Sequence, residues 1–289
     1  MTLKLPFVKM QGLGNDFIVI DDIGKVQAIG RRPEVTPELA RKICDRRFGV
    51  GADQVLWLRP AQGREADARM EILNSDGSVA EMCGNGIRAI GLFLAKHGPF
   101  PKRMLYSVET LAGIKTIQIH GDEVAVDMGP PGLGGGFEST ASGPDRNSSK
   151  GPGERIEVGG QSLEFFEVDM GNPHAVVFVG DVTEVALEDI GPQFEVHSRF
   201  PARTNVEFVQ VVAPDRIRVR VWERGAGVTL ACGTGACAAA VAALGTGRVR
   251  GEVKVELPGG VLKIVWPGPA QSVVMAGPAA EVFRGEYWV

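Results

Sequence analysis

The chain has 289 residues, of which 44% are hydrophobic and 23% charged, and its formal net charge is −4 at pH 7. This balance is typical of a globular protein with either one large core or two ordinary domains. Only 7% of the residues are aromatic and the basic residues form no stripe, so we expect no nucleic-acid partner.

The first part of the sequence predicts a hairpin followed by a capped helix. Two alternating segments, 5–10 and 17–21, flank the glycine turn 12–14. Thr36, Pro37 and Glu38 are the N-cap, first-turn proline and first-turn acid of a helix that we expect to end near Arg47. Further expected elements are strands at 54–59, 69–74 and within 106–128, and a helix from Gly84 to Gly98.

The segment 131–153 is rich in Gly, Ser and Pro and poor in large apolar residues, which predicts a linker with an exposed loop, 134–153, of unassigned role. After it the same order of elements begins again. We expect strands, a short helix near 188–197, more strands, and a helix that begins at Gly233. The last strand, 280–289, is expected to pack back on the first domain.

Four matches between the two halves, in the same order, indicate a duplicated domain. In one of them, Asn74 and Glu223 each lie nine residues before a cysteine, Cys83 and Cys232. The segments 82–86 and 231–235 align at an offset of 149 residues, 14–17 and 171–174 at 157, and Gln54 and Asn205 at 151. We therefore predict an α/β (α+β) fold of two pseudo-symmetric domains, with the active site in the cleft between them. Each domain is expected to be a mostly antiparallel, strand-rich sheet or barrel around a central helix. The expected boundaries are 1–130 together with 278–289 for the first domain, and 154–277 for the second.

Each half carries one Cys-Gly-x-Gly motif, at Cys83 and at Cys232, directly before a predicted helix. A thiol at a helix N-terminus lies at the positive end of the helix dipole, which lowers its pKa, and the free N–H groups there bind anions. Two equivalent thiols are suited to inverting a carbon, because one removes a proton from one face while the other supplies a proton to the opposite face. The alternative is that these are two unrelated structural cysteines.

The other two cysteines have a simpler interpretation. Cys44 lies inside a predicted helix beside Ile43, and Cys237 lies in an alanine-rich helix five residues after Cys232. We expect both to be buried packing residues. Four cysteines are too few for a disulfide framework in a chain of this length, and the most uniformly apolar helical stretch, 236–244, is too short to span a bilayer. We therefore expect a cytoplasmic chain with no membrane partner.

The sequence resembles the diaminopimelate epimerase family over nearly its whole length. Eight stretches carry the resemblance, in the order of that family: KMQGLGNDF at 9–17, RFGVGADQ at 47–54, NSDGS at 74–78, MCGNGIR at 82–88, GNPH at 171–174, RTNV at 203–206, ERG at 223–225 and ACGTGA at 231–236. The resemblance implies interconversion of LL- and meso-2,6-diaminopimelate, a step in lysine and peptidoglycan precursor synthesis, without pyridoxal phosphate, other cofactor or metal. It also implies a homodimer.

The resemblance also implies roles for individual residues. Cys83 and Cys232 are similar to the catalytic acid/base pair, and His174 and Glu223 to the residues that tune the thiols. The expected substrate-binding residues are Asn15, Gln54, Asn74, Gly84, Asn85, Asn172, Asn205, Glu223, Arg224, Gly233 and Thr234. By residue type alone, Asn15 and Asn172 are also typical turn residues after glycine, and Arg224 can bind a carboxylate with its guanidinium fork.

Other functions remain as alternatives. The nearest is a proline racemase-like enzyme that shares the two-cysteine logic but acts on a substrate without a second zwitterionic end. A redox protein with a Cys83–Cys232 disulfide is less favoured because the chain has no Cys-x-x-Cys motif. The glycine clusters complete no nucleotide-binding fingerprint, and the cysteine–histidine spacing fits no closed zinc site.

Overall fold

The computed structural model describes residues 3–23, 34–134, 136–137 and 153–289. It separates into two compact units, one formed by Met1–Val126 with Gly277–Val289 and the other by Asp127–Ala276. Most of the predicted linker 131–153, namely residues 135 and 138–152, lies outside the described residues. Gly132–Leu133, at its start, forms a short strand that pairs with the second unit's sheet.

The first unit contains nine strands and two helices within its described residues. The strands are β1 (Lys4–Gly12), β2 (Asn15–Asp21), β3 (Gln54–Arg59), β4 (Ala68–Asn74), β5 (Val79–Ala80), β6 (Leu105–Thr110), β7 (Gly113–His120), β8 (Glu123–Asp127) and β19 (Ala280–Trp288). The helices are α1 (Pro37–Cys44) and α2 (Gly84–His97).

The sheet of the first unit has the order β19-β1-β2-β3-β4-β6-β7-β8. The pairs β2–β3 and β4–β6 are parallel and the others antiparallel. The predicted hairpin forms between β1 and β2, with Gly12 opposite Asn15. Its two turn residues both have positive φ, 56° at Leu13 and 85° at Gly14, which suits the twist of the adjoining strands.

Helix α2 is the centre of the first unit's core. Its residues from Gly84 to Leu94 are buried, and it packs against β1, β2, β3, β7 and β19. Helix α1 begins as predicted, because the Thr36 side chain accepts a hydrogen bond from the Leu39 N–H. Its predicted end at Arg47 is wrong: the helix ends at Cys44, since the Asp45 carboxylate accepts from the N–H groups of Arg47 and Phe48.

The second unit contains ten strands and two α-helices within its described residues. The strands are β9 (Gly132–Leu133), β10 (Glu154–Val158), β11 (Gln161–Asp169), β12 (Pro173–Phe178), β13 (Asn205–Ala213), β14 (Arg216–Glu223), β15 (Gly227–Val228), β16 (Val253–Leu257), β17 (Gly260–Val265) and β18 (Val274–Pro278). The helices are α3 (Leu187–Glu195) and α4 (Gly233–Gly245), with a 3₁₀ turn at Val182–Glu184.

The second unit repeats the strand order of the first. Its sheet runs β10-β11-β12-β13-β14-β16-β17-β18, and β12–β13 and β14–β16 are its parallel pairs. Strand β10 therefore takes the place in this sheet that β19 takes in the first. The prediction of a mixed α/β fold built from duplicated, mostly antiparallel domains around a central helix is confirmed.

Helix α4 is the central helix of the second unit. Every residue from Gly233 to Ala243 is buried, and the helix packs against β11, β12, β13, β14, β16 and β17. Its sequence consists almost entirely of Gly, Ala and other small residues, which lets strands approach it from several sides. Among the described residues, no helix combines the length and the apolar character needed to cross a membrane.

Candidate active site

Cys83 and Cys232 occupy the same local position in the two units, the N-cap of the central helix. Both have extended backbone angles, φ −139° and ψ 113° at Cys83 and φ −111° and ψ 117° at Cys232. In each case Sγ accepts a hydrogen bond from the N–H three residues on, at 3.3 Å from Gly86 N and from Gly235 N. The thiols thus take the role that a serine hydroxyl has in an ordinary helix cap.

The Cys83 thiol lies beside two asparagines. It is half-buried and donates to Oδ1 of Asn15 at 3.6 Å. The same Oδ1 accepts from Nδ2 of Asn85 at 3.3 Å, while Nδ2 of Asn15 donates to the Asp53 carboxylate at 2.7 Å. Asn15 begins β2 and Asn85 lies in the first turn of α2, so the hairpin turn and the helix N-terminus together form this side of the site.

Gln54 and Asn74 lie opposite each other where β3 begins and β4 ends. Nε2 of Gln54 donates to Oδ1 of Asn74 at 2.9 Å, and Nδ2 of Asn74 donates to the Ser78 hydroxyl at 2.9 Å. Oε1 of Gln54 is buried without a hydrogen-bond partner within the described part of the chain. The two amides hold each other in place, and Oε1 of Gln54 keeps an unused acceptor.

The Cys232 thiol has an acidic environment. Its Sγ forms a hydrogen bond with the Thr234 hydroxyl at 3.5 Å, and it is also hydrogen-bonded to the carboxylate of Glu223. Burial raises the pKa of the Cys232 thiol well above its usual range, and the nearby carboxylates of Glu223 and Glu207 raise it further. The lower pKa expected from the helix N-terminus is therefore wrong for Cys232, because desolvation and two carboxylates outweigh the helix dipole.

Glu223 ends β14 and has its own supporting contact. The hydroxyl of Thr229 donates to its Oε1, at 2.5 Å. Burial raises the pKa of the Glu223 carboxyl, whereas the hydrogen bonds from Thr229 and Cys232 and the charge of His174 act in the opposite direction. Desolvation outweighs these partners, so the pKa of the Glu223 carboxyl lies above its ordinary value.

His174 is fully buried in β12 and lies between two polar groups. Its Nδ1 is 2.7 Å from Oε1 of Glu207, and its Nε2 is 3.0 Å from Oδ1 of Asn172. Glu207 lies on the neighbouring parallel strand β13, and its side chain is also fully buried. The sequence motifs placed His174 and Asn172 together, and the fold adds Glu207.

Asn205 and Arg224 are brought together at the end of β14. Nδ2 of Asn205 donates to the carbonyl of Pro173 at 2.9 Å, and its Oδ1 accepts from the N–H of Arg224 at 2.9 Å. The Arg224 side chain donates through Nη1 to the carbonyl of Ala202 at 3.1 Å. The Asn205 amide is thus engaged by the backbone, and it fixes the turn that presents Glu223 and Arg224.

The two remaining cysteines are buried packing residues, as their sequence context predicts. Cys44 is 3% exposed and Cys237 is 0% exposed. Burial raises the pKa of the Cys44 thiol to about 12. Cys44 is therefore protonated, and chemically inert, at neutral pH.

Three residues that contact the proposed site residues are not predicted by the sequence motifs. They are Asp53, which binds Asn15, Thr229, which binds Glu223, and Glu207, which pairs with His174. Only Glu207 carried a visible signal, a single acid in the apolar run Val206 to Val209 of a predicted strand. The described residues contain no group of three or more His, Cys, Asp or Glu side chains that could hold a metal ion.

Comparison with known families identifies the chain. A family model described as diaminopimelate epimerase matches residues 7–133 and 166–282, which together include both cysteine motifs. The chain belongs to the diaminopimelate epimerase family. This family catalyses the interconversion of LL- and meso-diaminopimelate in lysine biosynthesis, so its members are isomerases.

Individual diaminopimelate epimerases are similar over nearly the full length of the chain. The diaminopimelate epimerase of Microcystis aeruginosa is 50% identical over 287 residues, covering 99% of each chain. That of Gloeothece citriformis is 48% identical over 287 residues, again covering 99% of each. Diaminopimelate epimerase 1 of Nostoc sp. is 49% identical over 262 residues, covering 90% of this chain and 91% of the relative.

Solved structures outside the diaminopimelate epimerase family share the fold. A probable proline racemase from Agrobacterium radiobacter has a TM-score of 0.69 at 19% identity, covering 99% of this chain and 92% of that one. A phenazine biosynthesis protein of the PhzF family from Bacillus anthracis has a TM-score of 0.67 at 16% identity, covering 99% and 100%. At these identities the likeness concerns the fold alone.

Proposed function

We propose that this chain interconverts LL- and meso-2,6-diaminopimelate by moving a proton at one α-carbon, with Cys83 and Cys232 as the two acid/base groups. One observation carries the assignment. Two copies of one structural unit each place a thiol at the N-cap of the central helix, where it accepts the same 3.3 Å hydrogen bond. Membership of the diaminopimelate epimerase family supports the choice of substrate.

The proton transfer needs one thiolate and one thiol. The thiolate removes the α-proton from one face of the carbon, and the thiol on the other face donates its own proton, so the carbon is inverted and the protonation states of the two cysteines are exchanged. The negative charge that develops in between is stabilised by N–H groups at the helix N-termini, those of Gly84 and Asn85 in one unit and Gly233 and Thr234 in the other.

The resting protonation state follows from the surroundings of Cys232. Burial and the carboxylates of Glu223 and Glu207 raise its pKa, so Cys232 begins as the thiol that donates a proton. Cys83 takes the role of the base, and it must first lose the proton that its thiol donates to Oδ1 of Asn15. Glu223 and His174 act as the residues that adjust the two thiols.

The other proposed site residues recognise the ends of the substrate. The amides of Asn15, Gln54, Asn74, Asn172 and Asn205 supply donors and acceptors for zwitterionic groups, and Arg224 binds the distal carboxylate. Asn205 also positions Arg224, because its Oδ1 accepts a hydrogen bond from the Arg224 N–H. We also propose that the enzyme works as a cytoplasmic homodimer and without a cofactor.

Isotope exchange tests the proposed reaction. The purified chain is treated with a metal chelator, kept reduced, and incubated with LL-diaminopimelate in deuterated water. We expect the meso isomer to form, with deuterium at the inverted α-carbon, because the incoming proton comes from a solvent-exchanged thiol. Turnover of L-proline under the same conditions, with none of diaminopimelate, would contradict the proposal.

A further inference from the structure

His174 and Glu207 form a buried polar contact in the core of the second unit. Nδ1 of His174 lies 2.7 Å from Oε1 of Glu207, and both side chains are 0% exposed. Oε2 of Glu207 is buried without a hydrogen-bond partner among the described residues. A carboxylate in this position loses its hydration and gains only one hydrogen bond, so it costs free energy that an apolar side chain would not.

Glu207 lies directly beneath the first turn of the helix that Cys232 caps. A Cβ added at Gly235 would lie 2.5 Å from Oε1 of Glu207 and 3.2 Å from Cγ2 of Val221. Any larger residue at position 235 would therefore have to displace the Glu207 carboxylate. The first turn of α4 therefore lies against the same oxygen that contacts Nδ1 of His174.

In the first unit, the positions equivalent to His174 and Glu207 are occupied by apolar residues. In β2 and β3 Phe17 lies opposite Gln54, and in β12 and β13 His174 lies opposite Asn205, in the same parallel pairing. Two residues further along, β3 has Leu56 where β13 has Glu207. Cδ2 of Leu56 lies 3.2 Å from the Cβ position of Gly86, so Leu56 supports α2 as Glu207 supports α4.

The equivalent residues of the first unit show what the fold itself needs at these two positions. Phe17 and Leu56 are both apolar and 0% exposed, so both belong to the core of the first unit. The fold therefore does not require an acid and a histidine at these two positions. The pair in the second unit therefore has a role other than folding. Its neighbours Cys232 and Asn172, both proposed site residues, indicate that this role lies in the reaction.

We propose that Glu207 is a positioning residue that holds a proton on Nδ1 of His174, so that Nε2 is the nitrogen available for proton exchange. A carboxylate can only accept, so the 2.7 Å contact requires an N–H on Nδ1. The imidazole is then fixed in one orientation, and its exchangeable proton is the one on Nε2, which donates to Oδ1 of Asn172 at 3.0 Å when the ring is protonated. This inference rests on the proposed function, in which His174 adjusts a catalytic thiol.

The first test replaces the carboxylate by an amide. In Glu207→Gln the amide can turn and donate to Nδ1, so the ring is no longer held in one tautomer. We expect kcat to fall at least about tenfold with KM changed less than about twofold, and Glu207→Asp to restore part of the loss. Nitrogen-15 NMR of the histidine rings should show Nδ1 protonated in His174 of the wild type and a mixture of tautomers in Glu207→Gln.

A matched control is the other His–Glu pair of the chain's described part, His97–Glu281, whose Nε2 and Oε2 atoms also lie 2.7 Å apart. It lies in the first unit and has no place in the proposed chemistry. We expect Glu281→Gln to leave kcat and the His174 ring signals unchanged.

The second test installs the first unit's own pair in the second unit. The double variant His174→Phe/Glu207→Leu should fold with a melting temperature no lower than that of the wild type, and should not epimerise diaminopimelate. Failure of this variant to fold would overturn the argument that the pair is unnecessary for folding. Wild-type kcat and a single His174 tautomer in Glu207→Gln would overturn the proposal itself.

The NMR measurement needs no substrate, so it keeps the two proposals apart. If the wild type does not act on diaminopimelate but His174 changes tautomer in Glu207→Gln, the proposed function fails and the positioning role stands. If the wild type is active and the tautomer does not change, the positioning role fails alone.

Discussion

The side-chain amide of Asn15 is held by Asp53, whose Oδ2 accepts a hydrogen bond from Nδ2 at 2.7 Å. This bond turns Oδ1 of Asn15 towards the thiol of Cys83, at 3.6 Å. Asp53 is itself fixed by Arg46, whose Nη2 lies 2.8 Å from its Oδ1. The orientation of an amide beside the thiol is thus determined by a charged residue that is remote in sequence.

We predict that Asp53→Ala lowers kcat/KM by about 10- to 100-fold, because the hydrogen bond it removes is to a charged group and orients a substrate-binding amide. Steady-state epimerisation of diaminopimelate measures the effect. Asp53→Asn keeps an acceptor oxygen and should retain more activity than Asp53→Ala. Equal activities in both variants would show that the orientation of Asn15 does not depend on this bond.

Replacing either N-cap thiol should abolish the reaction. We expect Cys83→Ala and Cys232→Ala each to lower kcat by at least about 10²- to 10⁴-fold, the range that general acid–base groups contribute. Circular dichroism checks that the variants fold. Cys44→Ala is the control, since Cys44 is buried at 3% exposure in α1, and it should keep wild-type kcat. Substantial activity in Cys83→Ala or Cys232→Ala would exclude the two-thiol mechanism.

Thr229→Val should shift the pH dependence of the reaction. Burial raises the pKa of Glu223 and the hydroxyl of Thr229 lowers it, so loss of the hydroxyl raises that pKa further. If ionised Glu223 is needed, the acid limb of the kcat profile moves to higher pH, and kcat near neutral pH falls by about tenfold. Thr246→Val, which removes hydroxyl bonds to the carbonyls of Ala242 and Ala243 at the far end of α4, should not move the profile.

Buried thiols should make the chain less stable in alkaline solution. Burial raises the pKa of Cys44 to about 12, above the ordinary value of 9.0 that the unfolded chain has. Above pH 9 the unfolded chain loses a proton that the folded chain keeps, so the free energy of unfolding decreases as pH rises. The stability that the folded chain has with a protonated Cys44 is therefore fully present only below pH 9.

The size of this effect can be measured by urea unfolding at several pH values between about 8 and 10.5. One such thiol contributes a slope of at most about 1.4 kcal/mol per pH unit. Cys44→Ala lacks the titrating group, so its stability should fall less steeply with pH than that of the wild type. Identical slopes for the two proteins would mean that the Cys44 thiol ionises equally well in the folded chain.

The sequence alone determined the repeat, the order of elements and the positions of both thiols. These features depend on local signals: glycines after each cysteine, a capped helix start at Thr36, and alternation in the strands. Local competition also explains the one helix boundary that was wrong, because the Asp45 side chain takes the N–H groups of Arg47 and Phe48 and ends α1 early.

Only the tertiary structure decided the electrostatic surroundings and the orientation of the site side chains. Cys232 is desolvated and lies near carboxylates from two different strands, which reverses the pKa shift that its helix position alone predicts. Glu207 meets His174 because parallel strands place side chains 33 residues apart in contact. Burial and long-range pairing are properties of the folded chain, and a motif of consecutive residues does not contain them.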